Sequence, residues 1–193
     1  MCHIVFKPKG VPNNFTKEKF NQALKANPHG IGIAYSEGGK LKIEKFITPQ
    51  ERADEIYNKI ANKDSYLIHL RYATCGKINA ENIHPFMITS DLCVAHKGSL
   101  PDYPELNKDW SDTKNFVEGI LKPSLQKQGT KIFKTKEFID FVQEKIGPEN
   151  RMIFVDNEMN YSIANENLWT QIDGCWYSNT EIFDPSFQEK IGD

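Results

Sequence analysis

Residues 30–47, GIGIAYSEGGKLKIEKFI, read as two strands folded back on one another. Residues 30–35 form an apolar segment, and residues 40–47 set Leu41, Ile43 and Phe46 among lysines and a glutamate. Gly38-Gly39 between them supplies the positive-φ pair of a tight hairpin. Antiparallel pairing is therefore fixed locally. On the N-terminal side, Thr16 is placed to cap a helix carrying Phe20, Ala23 and Leu24, with Phe15 and Phe20 as a hydrophobic staple. Before it, residues 2–6 are an apolar run broken by Pro8, Gly10 and Pro12, the pattern of a buried first strand.

On the C-terminal side, Thr48-Pro49-Gln50-Glu51 has the form of a capping box with proline at the first helical position. The helix it predicts puts Ala53, Ile56, Tyr57, Ile60 and Ala61 on one face. Strands are expected at 66–70, 86–88 and 92–95. A helix is expected from near Ser111 with Phe116, Ile120 and Leu121, and another from Thr135 with Phe138, Phe141, Val142 and Ile146, ending at Gly147-Pro148. Further strands are expected at 152–156, 161–164 and around Trp176. Helices fall in blocks between runs of strands, which favours α+β with antiparallel sheets over a doubly wound parallel sheet.

Bulk properties narrow the function. The chain has 193 residues, a length that suits a single domain spanning 1–193. With 24 basic and 26 acidic residues interspersed, it carries no electrostatic footprint for nucleic acid or anionic membrane. Cys2, Cys75, Cys93 and Cys175 include no CxxC pair, and the five histidines are scattered, so neither a metal site nor a disulfide framework is expected. No apolar run approaches the roughly 20 residues of a membrane span, and MCHIVFKPKG has too short an apolar core for a secretory signal. A cytoplasmic protein with reduced thiols and no cofactor is the expectation.

The chemistry starts at Cys2. A small residue at position 2 permits removal of Met1, which leaves one residue with a thiol titrating at about 8.5 and an α-amine at about 8. Nucleophile and base are then combined in one residue. An early cysteine is by itself common in buried strands. Its weight comes from the motifs downstream of it, in order: His69-Leu70-Arg71-Tyr72-Ala73-Thr74-Cys75-Gly76, Asn82-Ile83-His84-Pro85-Phe86, His96-Lys97-Gly98, and Ser111-Asp112-Thr113. This ordered set resembles the class II, N-terminal-nucleophile glutamine amidotransferases, and Asn27 to Tyr35 matches that family's hairpin. The segment Gly174-Cys175-Trp176-Tyr177-Ser178-Asn179 is similar to its small, single-domain branch.

The resemblance implies a four-layer αββα sandwich of two antiparallel sheets, with Cys2 on a central strand. It implies that Arg71 clamps the glutamine α-carboxylate, that Thr74 and His84 support that end, and that Asp112 meets the α-ammonium. The backbone N–H of Gly98 is implied as an oxyanion donor. Taken singly, Arg71 also fits a surface ion pair, His84 an ordered loop and Asp112 a helix N-cap. The chain departs from the pattern at Lys97, where the family has the asparagine that donates to the oxyanion. His3 stands in place of glycine, and Lys114 in place of an acidic residue; Cys75 occupies a variable position. Lys97 is expected to point inward and take over the donor role. Three readings stay open: a glutaminase serving a separate ammonia-accepting synthase or none, a hydrolase of another γ-glutamyl amide, and a weakened domain that binds glutamine-like ligands or a protein partner. The few residues beyond Asn179 leave the expectation that any acceptor domain is a separate protein.

Overall fold

The structure, a computed structural model, describes residues 2–100, 103–184 and 186. Met1, expected from the sequence to be removed, lies outside them. Two antiparallel sheets form the centre. The larger contains β1 (His3–Lys7), β2 (Ile31–Glu37), β3 (Lys40–Phe46), β4 (Tyr66–Leu70), β9 (Thr170–Ile172) and β10 (Cys175–Tyr177), in the order β3-β2-β4-β1-β10-β9. The smaller contains β5 (Phe86–Thr89), β6 (Leu92–Lys97), β7 (Arg151–Asp156) and β8 (Tyr161–Ala164) in chain order. The hairpin forms as read: Ile31 pairs with Phe46 and Glu37 with Lys40, and Gly38 and Gly39 turn the chain at φ 58° and 72°.

Side-chain alternation separates the layers. On β1, Val5 enters a core beneath α1 (Lys17–Ala26) and α2 (Ala53–Ala61), together with Phe15, Phe20, Ile56 and Ile60. Ile4 and Phe6 face the other way and meet Cys93, Ala95, Ile153 and Val155 of the smaller sheet. The outer face of that sheet presents Leu92, Val94 and Phe154 to α3 (Asp112–Phe116), α4 (Lys122–Gln128) and α5 (Lys136–Ile146). These three cores make the four-layer αββα sandwich. Each fully buried Ile or Phe contributes about 1.5–3 kcal/mol.

Local signals decide most helix ends. Thr16 accepts from Lys19 N and Thr135 from Phe138 N, and Phe15 packs edge-on against Phe20 at 6.1 Å. The capping box at Thr48 does not form. Its side chain makes no cap bond, Pro49–Arg52 is a 3-10 turn, and α2 starts only at Ala53. Ala61, expected on the buried face, is exposed at the helix end. The helix expected from Ser111 runs as α3, a π-helical turn (Val117–Leu121) and α4. Pro123 explains the interruption: it has no N–H for the carbonyl of Gly119, and its ring crowds that carbonyl. β9, mostly polar, and the 3-10 segment Thr130–Lys134 were not expected.

Candidate functional site

Strand parity aims the first side chain. Cys2 precedes β1 and shares the parity of Ile4 and Phe6, so it faces the space between the sheets. Two neighbours hold it there. Asn179 Nδ2 donates to the Cys2 carbonyl at 3.3 Å while Asn179 Oδ1 lies 2.7 Å from His3 Nδ1. On the other side, Tyr72 N–H donates to Cys2 Sγ at 3.3 Å, and the thiol faces the Tyr72 carbonyl at 3.4 Å. Burial pushes the Cys2 thiol above its ordinary range, and the Tyr72 N–H and the charges of Arg71 and Lys97 oppose that rise. At rest the sulfur is therefore a thiol and needs a base.

Cys2, Arg71, Thr74, His84, Gly98 and Asp112 line one cleft, whose free volume is about 30 Å³. Six of the seven expected site residues are thus brought together. Arg71 leaves the end of β4 buried at 3% exposure, and its Nη1 and Nη2 donate to the carbonyls of Lys77 and Cys75, each at 3.0 Å. Two of the five guanidinium N–H donors are thus spent on bracing the 71–77 loop. Burial lowers the Arg71 pKa, and it remains a cation. Thr74 is exposed on the cleft wall.

His84 precedes a cis peptide to Pro85, and its Nδ1 accepts from His96 N–H at 3.2 Å. That bond puts the proton of the neutral ring on Nε2. Burial holds the His84 pKa well below the usual histidine range, so the neutral form persists. Asp112 is not a helix cap. Ser111 caps α3 through Lys114 N, and the Asp112 carboxylate accepts from Leu100 N at 2.8 Å and Thr113 N at 2.6 Å. Gly98 has φ 137°, and a Cβ there would stand 1.9 Å from Asn150 Oδ1, so only glycine fits.

Lys97, the seventh, does not line the cleft. As the last residue of β6 it shares the inward parity of Cys93 and Ala95, and its charge acts on both Cys2 and His3. Its side chain is buried, 3% exposed, with no hydrogen bond or ion pair among the described residues. Burial and the neighbouring Arg151 charge pull the Lys97 ammonium down to about 8. Charge near the sulfur is thus present in place of the family's neutral asparagine.

Several supporting residues were not assigned from sequence. Asn82 is buried and donates to the carbonyls of Lys77 and Asp109 while accepting from Ser111 N. One amide thereby ties the Arg71 loop to the start of α3. His96 Nδ1 lies 2.7 Å from Thr113 Oγ1, and its Nε2 is 2.9 Å from Asn150 Oδ1. His69 is fully buried on β4, with both ring nitrogens unpartnered among the described residues. The motif spacing contains these residues, but their partners lie up to 54 positions away. Among the described residues no group of acidic, histidine and cysteine side chains is arranged to hold a metal, and no helix is long and apolar enough to cross a membrane.

A sequence model of the class-II glutamine amidotransferases matches residues 11–114. The chain is 37% identical over 59 residues to the amidophosphoribosyltransferase of Archaeoglobus fulgidus, covering 29% of this chain and 13% of that protein. Among solved structures it is similar to glutamine phosphoribosylpyrophosphate amidotransferase from B. subtilis, at 17% identity and TM-score 0.48, over 95% of this chain and 43% of that one. A class-II domain protein from Silicibacter pomeroyi matches at 12% identity and TM-score 0.42, over 81% and 73%. The chain therefore spans less than half the length of the first two relatives.

Proposed function

The chain belongs to the class-II glutamine amidotransferases, and from that premise we propose that it hydrolyses the γ-carboxamide of glutamine to glutamate and ammonia through a thioester on Cys2. The observation that carries this reading is the meeting of the Cys2 sulfur, the Arg71 cation and the Asp112 carboxylate in one cleft beside the Gly98 turn. Those groups complement the two charged ends and the reacting amide of one amino acid. With Met1 removed, the Cys2 α-amine takes the thiol proton and the sulfur attacks the amide carbon. The three remaining Arg71 N–H groups grip the α-carboxylate, and His84 Nε2–H and Thr74 support that end. Asp112 accepts from the α-ammonium. Gly98 N–H donates to the oxyanion, and the charge of Lys97, from outside the cleft lining, adds electrostatic stabilisation. The amine returns its proton to the departing nitrogen, ammonia leaves, and water releases glutamate.

A cleft of about 30 Å³ has room for roughly one water. Glutamine therefore enters only when a wall moves. The released ammonia would pass to an acceptor synthase or to solvent.

Ammonia release from free glutamine, with and without Cys2→Ala, tests the reading. Intact mass of the same samples reports removal of Met1 and labelling of Cys2 by an electrophilic glutamine analogue. Turnover on γ-glutamyl peptides alone moves the substrate to another γ-glutamyl amide. Glutamine binding with neither turnover nor labelling refutes the enzymatic reading.

A further inference from the structure

We infer that His3 is a positioning residue for Cys2: its ring N–H orients the Asn179 amide, whose other end holds the Cys2 carbonyl. The inference rests on the glutaminase reading. It starts from a covalent fact. Once Met1 is removed, Cys2 is tied to the chain only through its peptide bond to His3. A planar peptide carries the Cys2 α-carbon with it, so whatever fixes that plane fixes the origin of both the sulfur and the amine. The ladder between β1 and β4 starts at the His3–Leu70 pair, which leaves Cys2 beyond its end. The plane has to be held from elsewhere.

The β10 side supplies the hold. The register that sets Val5 opposite Tyr177 brings His3 opposite Asn179 two residues further on. There Asn179 Nδ2 lies 3.3 Å from the Cys2 carbonyl oxygen, and Asn179 Oδ1 lies 2.7 Å from His3 Nδ1 and 3.4 Å from Glu181 N. These contacts fix every proton. The Cys2 carbonyl can only accept, so it faces the amide NH₂. The Glu181 N–H can only donate, so it faces the amide oxygen. His3 Nδ1 meets that same oxygen and must carry the ring proton. With the proton on Nε2 instead, two lone pairs would oppose each other at the shortest contact of the set. One amide thus bridges the carbonyl of Cys2 and the side chain of the next residue, and the clamp closes on the peptide that joins them.

Glycine at position 3 would leave Asn179 Oδ1 only the longer Glu181 contact. The His3 ring is also seated so that its N–H stays aimed. It is buried at 1% exposure, with the Phe15 ring stacked at 6.4 Å and 23° and the Tyr177 ring at 6.2 Å. Burial pulls its pKa down to about 3, so the ring is neutral, and Nε2 has no partner among the described residues. Its hydrogen bonding is therefore spent on Asn179. His3 shares the parity of Val5, on the face of β1 turned away from the cleft, and it does not line the cleft. Its influence on the reaction runs through Asn179 and Cys2.

His3→Asn places an amide N–H where Nδ1–H stood, and His3→Phe keeps a ring of similar size without the donor. Steady-state glutamine turnover of both variants, alone and combined with Asn179→Ala, tests the inference. His3→Phe is expected to lower kcat about tenfold with KM unchanged, and His3→Asn to recover most of that loss. In the Asn179→Ala background, His3→Phe is expected to change kcat by less than about twofold, because the two side chains act as one unit. Losses that multiply in the double variant overturn the inference, as does an unchanged kcat in His3→Phe or a KM that changes as much as kcat. The wild-type protein gives a second measurement that stands even if the variants fail to fold. Nitrogen NMR of the histidine rings reports which nitrogen of His3 carries the proton. A proton on Nδ1 supports the clamp, and a proton on Nε2 overturns it. Absence of glutamine turnover in the wild type counts against the glutaminase reading, and the ring proton then decides on its own whether His3 orients Asn179.

Discussion

Lys97 is an ammonium placed where a neutral amide would cost less. Its pKa is lowered from 10.5 to about 8 by burial and by Arg151, while Glu181 and Cys2 act the other way. Between those two values the unfolded chain holds a proton that the folded chain has lost, so stability rises with pH across that window. At pH 7 both states are protonated and the full penalty is present. Lys97→Met should therefore stabilise the fold by about 2 kcal/mol at pH 7 and flatten the rise, measured by urea unfolding across pH. Turnover should respond in the opposite sense. In the proposed mechanism the ammonium charge stabilises the oxyanion below its pKa, and that charge is lost as pH climbs through about 8. Lys97→Asn should keep turnover at neutral pH similar or higher and lose the descending alkaline limb, which a kcat profile reads directly. A large loss at neutral pH would instead mark a dedicated lysine role. The neighbouring Gly98 is constrained by space as well as backbone angle. Gly98→Ala drives a methyl into Asn150 Oδ1, breaks the His96–Asn150 contact and should cost about 2–4 kcal/mol in the same unfolding assay.

Among the elements, β10 does more than complete the large sheet. Tyr177 pairs with Val5, Ser178 bonds to both the N–H and carbonyl of Ile4, and Asn179 reaches the Cys2 carbonyl. Strand β10 thus holds Cys2, the proposed nucleophile, at the cleft. Asn179→Ala should lower kcat about tenfold with KM little changed, since it moves the sulfur and leaves the glutamine-binding groups alone. Stability should fall by about 1 kcal/mol. An equal change in KM would indicate that Asn179 contacts substrate. The segment around Trp176 was legible as a strand, but its register was not, because its partner β1 lies about 170 positions away. The same divide runs through the whole chain. The Gly38-Gly39 turn and the caps at Thr16 and Thr135 were readable because donor and acceptor sit three residues apart. Thr48 carries the same signature and fails, because the backbone at Thr48 (φ −113°, ψ 68°) departs from the extended geometry of Thr16 and Thr135. The site residues were visible as an ordered motif. Asn82 bridging two loops, Asp112 bonded to Leu100 N, and the stranded nitrogens of His69 depend on tertiary neighbours that no local pattern contains.

In the molecule as a whole, the two sheets do different work from the helices that cover them. The layer between them is apolar through Ile4, Phe6, Ala95 and Ile153, and it ends at Cys2 on one sheet and Lys97 on the other. The distance between nucleophile and cation is therefore set by how closely the sheets pack. The outer layers, such as Ile56 of α2 against the far face of the large sheet, supply stability without touching that spacing. Ile153 and Ile56 are both fully buried, and truncating either to alanine should cost about 2–5 kcal/mol. Their effects on turnover should separate. Ile153→Ala lets the facing strands β1 and β7 relax toward the cavity, which shifts Cys2 relative to Lys97 and Gly98, and kcat should fall at least about tenfold. Ile56→Ala relaxes a helix against the outside of the sheet, and turnover of the folded fraction should stay within about twofold of wild type. Assays run well below each variant's melting temperature compare folded protein with folded protein. Equal losses of kcat in the two variants would mean that inter-sheet spacing does not control the site.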